Sequence, residues 1–176
     1  MIILSIGTNI GDRERNIENA VKALGEIGKV TAISPIYTSE PWGFESENGF
    51  YNIALILESD LSPLDLLRET QRIEKELGRT AKTTTEYADR VIDIDIIDYD
   101  NQIIDYRLQS TDNPSLLTIP HPLMHLRNFV LYPLADIAPE WVHPILELTT
   151  LELKAKSGDK SIPYKKITFE NSQVRK

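Results

Sequence analysis

Residues 90–98 constrain the fold of this chain most, because isoleucine and aspartate alternate there over the length of a strand. Successive side chains of a β-strand point to opposite faces of the sheet. Ile92, Ile94 and Ile96 would therefore share one face. Asp93 and Asp95 would share the other face, about 6.5 Å apart along the strand. The pattern predicts a strand that is buried on one face and carries two carboxylates on the opposite face.

These two carboxylates admit two interpretations. Aspartate is depleted in strands and like charges on one face repel, so a divalent cation would stabilise the pair. Mg²⁺ prefers oxygen ligands and is often held by one or two carboxylates together with substrate phosphates. Period-two alternation is also the ordinary pattern of a half-buried strand whose acidic face is solvated. The strand alone leaves both interpretations open.

The order of strand and helix patterns predicts the fold class. Strand-like runs occupy residues 2–6, 30–37, 51–58 and 90–98. Asp12 is a candidate N-cap for a helix that ends before Gly28, and Ser62 with Pro63 marks the start of a second helix before Gly78. The resulting order, β-α-β-β-α-β, is typical of a ferredoxin-like α+β sandwich with two helices on one face of the sheet.

The C-terminal part predicts additional helices. Apolar runs within residues 122–139 favour short helices that cover the second face of the sheet. Residues from 143 onward are rich in Lys and Thr and contain Gly158 and Pro163, which predicts a peripheral helix and an extended tail. We expect one domain at residues 1–142, with residues 143–176 as a peripheral extension of the same domain.

Composition excludes several classes of protein. The 176 residues are 41% hydrophobic and 26% charged, as expected for one globular domain. With no cysteine, the chain offers no disulfide or thiolate metal site, and we expect a cytoplasmic protein. A net charge of −8 opposes binding to nucleic acids or membrane surfaces. The sequence shows no signal-peptide pattern and no apolar stretch of membrane-spanning length. Any phosphate-binding site must therefore be a small region where basic residues cluster.

Several separate segments together carry a family resemblance. They are residues 6–12 (IGTNIGD), 40–43 (EPWG), 50–52 (FYN), 71–74 (QRIE), 78–79 (GR), 89–96 (DRVIDIDI), 119–122 (IPHP) and 127–129 (RNF). In this order, they make residues 1–142 similar to the 6-hydroxymethyl-7,8-dihydropterin pyrophosphokinases. The Arg-x-x-Asp-x-Asp strand combined with the Pro-His-Pro segment is the most specific part of the resemblance.

The resemblance implies an enzyme that transfers pyrophosphate from ATP to the pterin in folate biosynthesis and releases AMP. It implies two Mg²⁺ ions ligated by Asp93 and Asp95, one to activate the attacking hydroxyl and one to brace the phosphates. It also implies catalytic roles for Arg79 and Arg90, whose guanidinium groups suit phosphate oxygens. Taken singly, each arginine also fits ordinary surface charge. The implied partners are ATP and the pterin, with no nucleic acid or membrane, and we expect a monomer.

The resemblance assigns further residues to two binding sites. The residues implied for ATP are Gln71, Glu74, Arg79, Arg90, Ile96, Thr118 and His121. The residues implied for the pterin are Ser39, Glu40, Pro41, Trp42, Phe50, Asn52, Arg127 and Phe129. Phe50 and Phe129 match stacking aromatics, and the Asn52 amide offers both a donor and an acceptor. Without the resemblance, core packing would explain both phenylalanines, and an exposed helix face would explain Glu74.

The chain departs from the family pattern at Trp42, Ala81, Tyr87 and Leu116. Its polar loop at residues 80–89 has the composition of a lid that closes over bound ATP. A competing class is a ferredoxin-like binding module without catalysis, such as an RNA-recognition or effector-sensing domain. An RNA-recognition domain needs clustered aromatic side chains and a basic surface, which this chain does not offer. A metal-dependent phosphotransferase that acts on another small alcohol stays open.

Overall fold

The computed structural model describes residues 1–78, 89–106 and 117–167. The strands are β1 (Ile2–Thr8), β2 (Lys29–Ile33), β3 (Ile36–Ser39), β4 (Phe50–Glu58), β5 (Asp93–Tyr99), β6 (Ile104–Asp105), β7 (Thr118–Ile119) and β8 (Tyr164–Ile167). The helices are α1 (Arg13–Ile27), α2 (Pro63–Glu76), α3 (Asn128–Ile137) and α4 (Thr150–Lys156), with a 3₁₀ turn at Met124–Leu126.

The main sheet is antiparallel and has the strand order β5-β1-β4-β3-β8, while β2 pairs with the other end of β4. The short strands β6 and β7 form a separate pair. The predicted α+β class, the ferredoxin-like element order and the extra C-terminal helices are therefore confirmed.

Helices cover both faces of the main sheet. On one face, Ile94 and Ile96 pack into the core that the sheet forms with α1 and α2. On the other face, Ile3, Ala54 and Ile97 pack against α3 and α4. Ile94 and Ile96 of β5 thus face the first helix pair, as the alternation predicts, and Ile97 lies on the alternate face with Asp93 and Asp95.

The prediction of one continuous strand at residues 30–37 is wrong. Ser34 and Pro35 divide it into β2 and β3, because proline has no N–H for a strand ladder. Ser34 stays tied to β4: its N–H donates to the Ala54 carbonyl at 2.9 Å, and its hydroxyl accepts from the Ala54 N–H at 2.9 Å. The break lets β3 continue to Ser39, which reaches the candidate site described below.

The extended tail predicted after residue 143 joins the fold as strand β8, which adds to the sheet beside β3. Lys165 of β8 forms an ion pair with Asp136 of α3 at 3.0 Å. The Tyr37 hydroxyl donates to the same carboxylate at 2.8 Å, and burial together with Asp136 raises the pKa of Tyr37. One carboxylate thus links β3, α3 and β8.

Gly28→Ala is expected to lower the free energy of unfolding by about 2 kcal/mol through overpacking, a change measurable by chemical denaturation. Gly28 follows α1 as predicted, and an added Cβ would lie 2.5 Å from the Glu58 carbonyl oxygen. Gly25→Ala is the matched control, because nothing lies within 4 Å of a Cβ added there. It should raise the free energy of unfolding by about 0.5–1 kcal/mol through helix propensity. Equal effects would contradict the close-approach explanation.

Candidate active site

An open cleft of about 510 Å³ lies over one end of the main sheet, on the face that α3 covers at its other end. Its lining includes residues that the sequence predicts: Ser39, Glu40, Trp42, Phe50, Asn52, Arg90, Asp93, Asp95, Arg127 and Phe129. Ser5, Gly7 and Phe44 also line it.

Strand alternation builds the floor of the cleft. Along β1, Ile3 lies under α3, and Ser5 and Gly7 follow on the same face of the sheet. Ser5 pairs with Asp95 and Gly7 pairs with Asp93 in the register of β1 and β5. Small side chains on the central strand thus leave open space beside both carboxylates. This face of the sheet is apolar under α3 and becomes polar beyond the end of the part that α3 covers.

The two aspartates lie close to basic side chains. The Arg90 guanidinium pairs with Asp93 at 2.5 Å, and both side chains are mostly buried. The His121 Nε2 lies 4.0 Å from an Asp95 oxygen, while the His121 Nδ1 accepts from the Leu123 N–H at 3.2 Å. Two carboxylates that share one face beside open space fit Mg²⁺, which prefers oxygen ligands and leaves positions for phosphates and water.

An aromatic wall flanks this floor. The Trp42 and Phe129 rings meet edge to face at 6.5 Å, and the buried Arg127 guanidinium lies 4.7 Å from the Trp42 ring centre. Phe44 meets Phe50 edge to face at 6.1 Å. Flat apolar surfaces with a cation nearby suit a planar, polar-edged heterocycle.

The Asn52 amide is buried at the cleft floor. It is 2% exposed, and its Nδ2 donates to the Ser39 hydroxyl at 2.8 Å. A Cβ added at Gly7 would lie 3.1 Å from the Asn52 Oδ1, so glycine leaves that oxygen accessible. Because an amide carries two donors and an acceptor, Asn52 retains capacity to read a ligand edge.

Asn9 braces the loops around the cleft. Its amide donates to the Asp89 carboxylate at 2.7 Å and accepts from the Arg90 N–H at 2.8 Å. A hydrogen bond from the Ser46 hydroxyl, with further bonds from Asn9 and Asn48, holds the pKa of Asp89 below its usual range. The charged Asp89 thus ties the loop before β4 to the segment that carries Arg90.

The residues predicted for ATP do not line this cleft together. Ile96 lies in the core, Thr118 lies in β7, and Gln71 is exposed on α2. Glu74 is buried and accepts from the Ile94 N–H at 2.7 Å, so the exposed-face interpretation of Glu74 is wrong. Pro41 is half-buried next to the lining residues. Arg79, Ala81, Tyr87, Leu116 and nearly all of the predicted lid fall outside the described residues.

Sequence reasoning assigned no site role to Ser5, Gly7, Asn9 or Phe44. Gly7 and Asn9 belong to the quoted segment at residues 6–12, so the resemblance could have indicated them. Phe44 is an aromatic residue within a polar, glycine-containing loop, which was the available signal for a binding role. Ser5 carried no local signal, because only the pairing with Asp95 brings it to the cleft.

Comparison with known proteins agrees with this geometry. The model of the 7,8-dihydro-6-hydroxymethylpterin-pyrophosphokinase (HPPK) family matches residues 3–139. The chain belongs to this family. The family resemblance predicted from the sequence is therefore confirmed.

Three relatives each match more than four fifths of this chain. The 2-amino-4-hydroxy-6-hydroxymethyldihydropteridine pyrophosphokinase of Porphyromonas gingivalis is 43% identical over 82% of this chain and 94% of the relative. The enzyme of that name from Aquifex aeolicus is 36% identical over 89% of this chain and 91% of the relative. The folic acid synthesis protein FOL1 of Dictyostelium discoideum is 42% identical over 88% of this chain, which spans 22% of that protein.

Solved structures support the fold. An HPPK-DHPS in complex with substrates has a TM-score of 0.68 at 17% identity, over 88% of this chain and 42% of that chain. The wild-type HPPK-DHPS of Plasmodium falciparum with SDX-DHP has a TM-score of 0.67 at 18% identity. This chain spans less than half the length of those solved chains. Within the described residues, no helix combines the length and apolar character needed to cross a membrane.

Proposed function

We propose that this HPPK family member transfers pyrophosphate from ATP to 6-hydroxymethyl-7,8-dihydropterin in folate biosynthesis, giving AMP and the pterin diphosphate. The observation that carries the proposal is the composition of one cleft. Aromatic side chains and a buried amide occupy it together with two carboxylates and Arg90. A heterocycle-binding region therefore adjoins a region suited to phosphates.

The pterin would lie against Phe50 and Phe129, with Asn52 reading its polar edge. Offset or edge-to-face aromatic contacts contribute about 0.5–1.5 kcal/mol beyond burial of area. Arg127 holds Trp42 and Phe129 as one surface through its contacts with both rings. Ser39, Glu40 and Pro41 would complete the substrate side. Phe44, packed on Phe50, would extend the apolar surface.

The pterin hydroxymethyl oxygen would attack the β-phosphorus of ATP and lose its proton to solvent. A new P–O bond would form while the bond from the β-phosphorus to the bridging oxygen breaks, and AMP would leave with that oxygen. Asp93 and Asp95 would hold two Mg²⁺ ions, which supply charge neutralisation when bound. Arg90 keeps the Asp93 carboxylate oriented. The forked geometry of a guanidinium also suits phosphate oxygens. Catalysis of this kind is mainly positioning and electrostatic stabilisation.

The nucleotide side of the proposal rests on the family match. Gln71, Glu74, Ile96, Thr118 and His121 would contact ATP, with Arg79 and Arg90 on its phosphates. His121 supports this assignment, because its Nε2 faces the Asp95 carboxylate. We also propose that the protein acts as a cytoplasmic monomer and that residues 143–176 extend the 1–142 domain.

Product analysis tests the proposed reaction. Incubation with Mg-ATP and 6-hydroxymethyl-7,8-dihydropterin should release AMP in proportion to the pterin consumed, as separated by ion-exchange chromatography. A reaction without pterin is the control for nucleotide hydrolysis. ADP in place of AMP would identify a simple kinase. If the folded protein does not turn over the pterin but does turn over another small alcohol, that alcohol is the substrate and the pterin is not.

A further inference from the structure

After the family-model match, which ends at residue 139, the chain returns to residues that adjoin the lining of the cleft. Residues 159–166, which we call the C-terminal strap, run from the start of α3 to the β8 pairing with β3. Asp159 contacts Asn128, and Lys166 contacts Tyr51. The strap thus touches the neighbours of residues that line the cleft.

The contacts with Asn128 are extensive. The Asn128 N–H donates to the Asp159 carboxylate at 2.9 Å. The Asn128 side-chain amide donates to the carbonyl oxygens of Asp159, at 2.9 Å, and Ser161, at 2.6 Å. The second Asp159 oxygen accepts from the Ser161 N–H at 2.9 Å, which fixes the carboxylate. Asn128 is only 5% exposed, so these bonds are shielded from water.

Asp159 takes the place of a helix cap. The residue at the N-cap position of α3, Arg127, makes no capping hydrogen bond with its side chain. The first N–H groups of a helix need acceptors, and a negative charge is favourable at that end. The Asp159 carboxylate supplies both the acceptor and the negative charge, although it lies 31 residues after Asn128 in the chain.

The capped residue lies between two residues of the aromatic wall. Asn128 stands between Arg127 and Phe129, and both of these line the cleft. Fixing the Asn128 backbone therefore fixes the direction of its two neighbours, whose contacts with Trp42 span 4.7 Å and 6.5 Å. A frayed first turn of α3 would change both contacts.

The strap also contacts Tyr51, whose ring packs into the core on the face of the sheet opposite the cleft. Lys166 donates to the Tyr51 hydroxyl and lies 3.5 Å from Glu14. The Arg13 guanidinium stacks on the same Tyr51 ring at 4.1 Å and donates to the Gly49 carbonyl at 2.7 Å. These contacts hold Gly49 and Tyr51, the residues on either side of Phe50 in the sequence.

We propose that Asp159 is a positioning residue for the pterin, which acts by holding Arg127 and Phe129 through Asn128. This role rests on the proposed function, because it assumes that the aromatic wall binds the substrate. It gives the C-terminal strap a part in substrate binding. The strap contacts Asn128 and Tyr51, which adjoin residues on the pterin side of the cleft, so the effect should be specific to that substrate.

Steady-state kinetics of Asp159→Ala test the proposal. We expect the KM for the pterin to rise about tenfold, equal to about 1.4 kcal/mol of binding, while kcat and the KM for ATP stay within about twofold. Asp159→Asn keeps one oxygen for the Asn128 N–H, so it should restore part of the affinity. If Asp159→Ala does not fold, the pterin KM of Asp159→Asn tests the proposal in its place.

Thr149→Ala is the matched control. Thr149 caps α4 in the same C-terminal extension, and its hydroxyl accepts from the Glu152 N–H at 3.2 Å. Its loss should lower the melting temperature and leave the pterin KM unchanged, because KM does not depend on the fraction of enzyme that is folded. An unchanged pterin KM in Asp159→Ala would overturn the positioning role. Absence of turnover by the wild type would overturn the proposed function, and the positioning role with it.

Discussion

Replacement of Asp95 with asparagine is expected to lower pterin-dependent AMP formation by about a thousandfold or more, which corresponds to about 4 kcal/mol of lost transition-state stabilisation. Asp95 lines the cleft on the same strand face as Asp93, where two carboxylates fit Mg²⁺. Asparagine keeps the shape of the side chain but removes its charge. The rate of AMP release at saturating Mg-ATP and pterin measures the effect.

The fold should survive this change. Like charges on one strand face repel, so without divalent cations Asp95→Asn should melt no lower than the wild type. Addition of Mg²⁺ with a non-hydrolysable ATP analogue should raise the melting temperature of the wild type more than that of the variant. Asp100→Asn makes the same chemical change beyond the far end of β5, at an exposed site, and should retain full activity. Full activity of Asp95→Asn would exclude the proposed metal site.

Asn52→Ala is expected to lower kcat/KM for the pterin about a hundredfold, because two hydrogen bonds of about 1.4 kcal/mol each would be lost. The Asn52 amide is buried at the cleft floor and spends one donor on Ser39. Its remaining donor and its acceptor are available to the heterocycle. Initial rates at varied pterin and fixed saturating ATP measure the loss.

The Ser39→Ala variant separates two roles of Asn52, namely its hydrogen bonds to the pterin and the orientation of its amide by Ser39. It removes the hydroxyl that holds the Asn52 amide at 2.8 Å and leaves the amide itself in place. We expect about a tenfold loss in pterin kcat/KM, the equivalent of one hydrogen bond. The KM for ATP should stay unchanged in both variants. An unchanged pterin kcat/KM in Asn52→Ala would mean that Asn52 does not contact the substrate.

Local patterns in the sequence were enough to predict much of the fold. Alternation in residues 90–98 assigned Ile94 and Ile96 to one face and the two aspartates to the other, as the structure has them. Asp12 and Ser62 cap α1 and α2 through bonds to residues three positions along. Such signals are visible in sequence because the interacting groups are close along the chain.

The tertiary structure decided which of these residues meet. Side-chain alternation gives the face of a strand but not its neighbour, so the pairing of Asp95 with Ser5 and the burial of Glu74 under Ile94 could not be read from local pattern. The strap is the extreme case, since Asp159 caps a helix that begins 31 residues earlier. Hydrogen bonds between distant segments form only after the sheet and its helices have packed. The sequence by itself therefore determined the first two helices, the faces of β5 and the family, whereas packing decided the break between β2 and β3, the addition of β8 and how the cleft is assembled and braced.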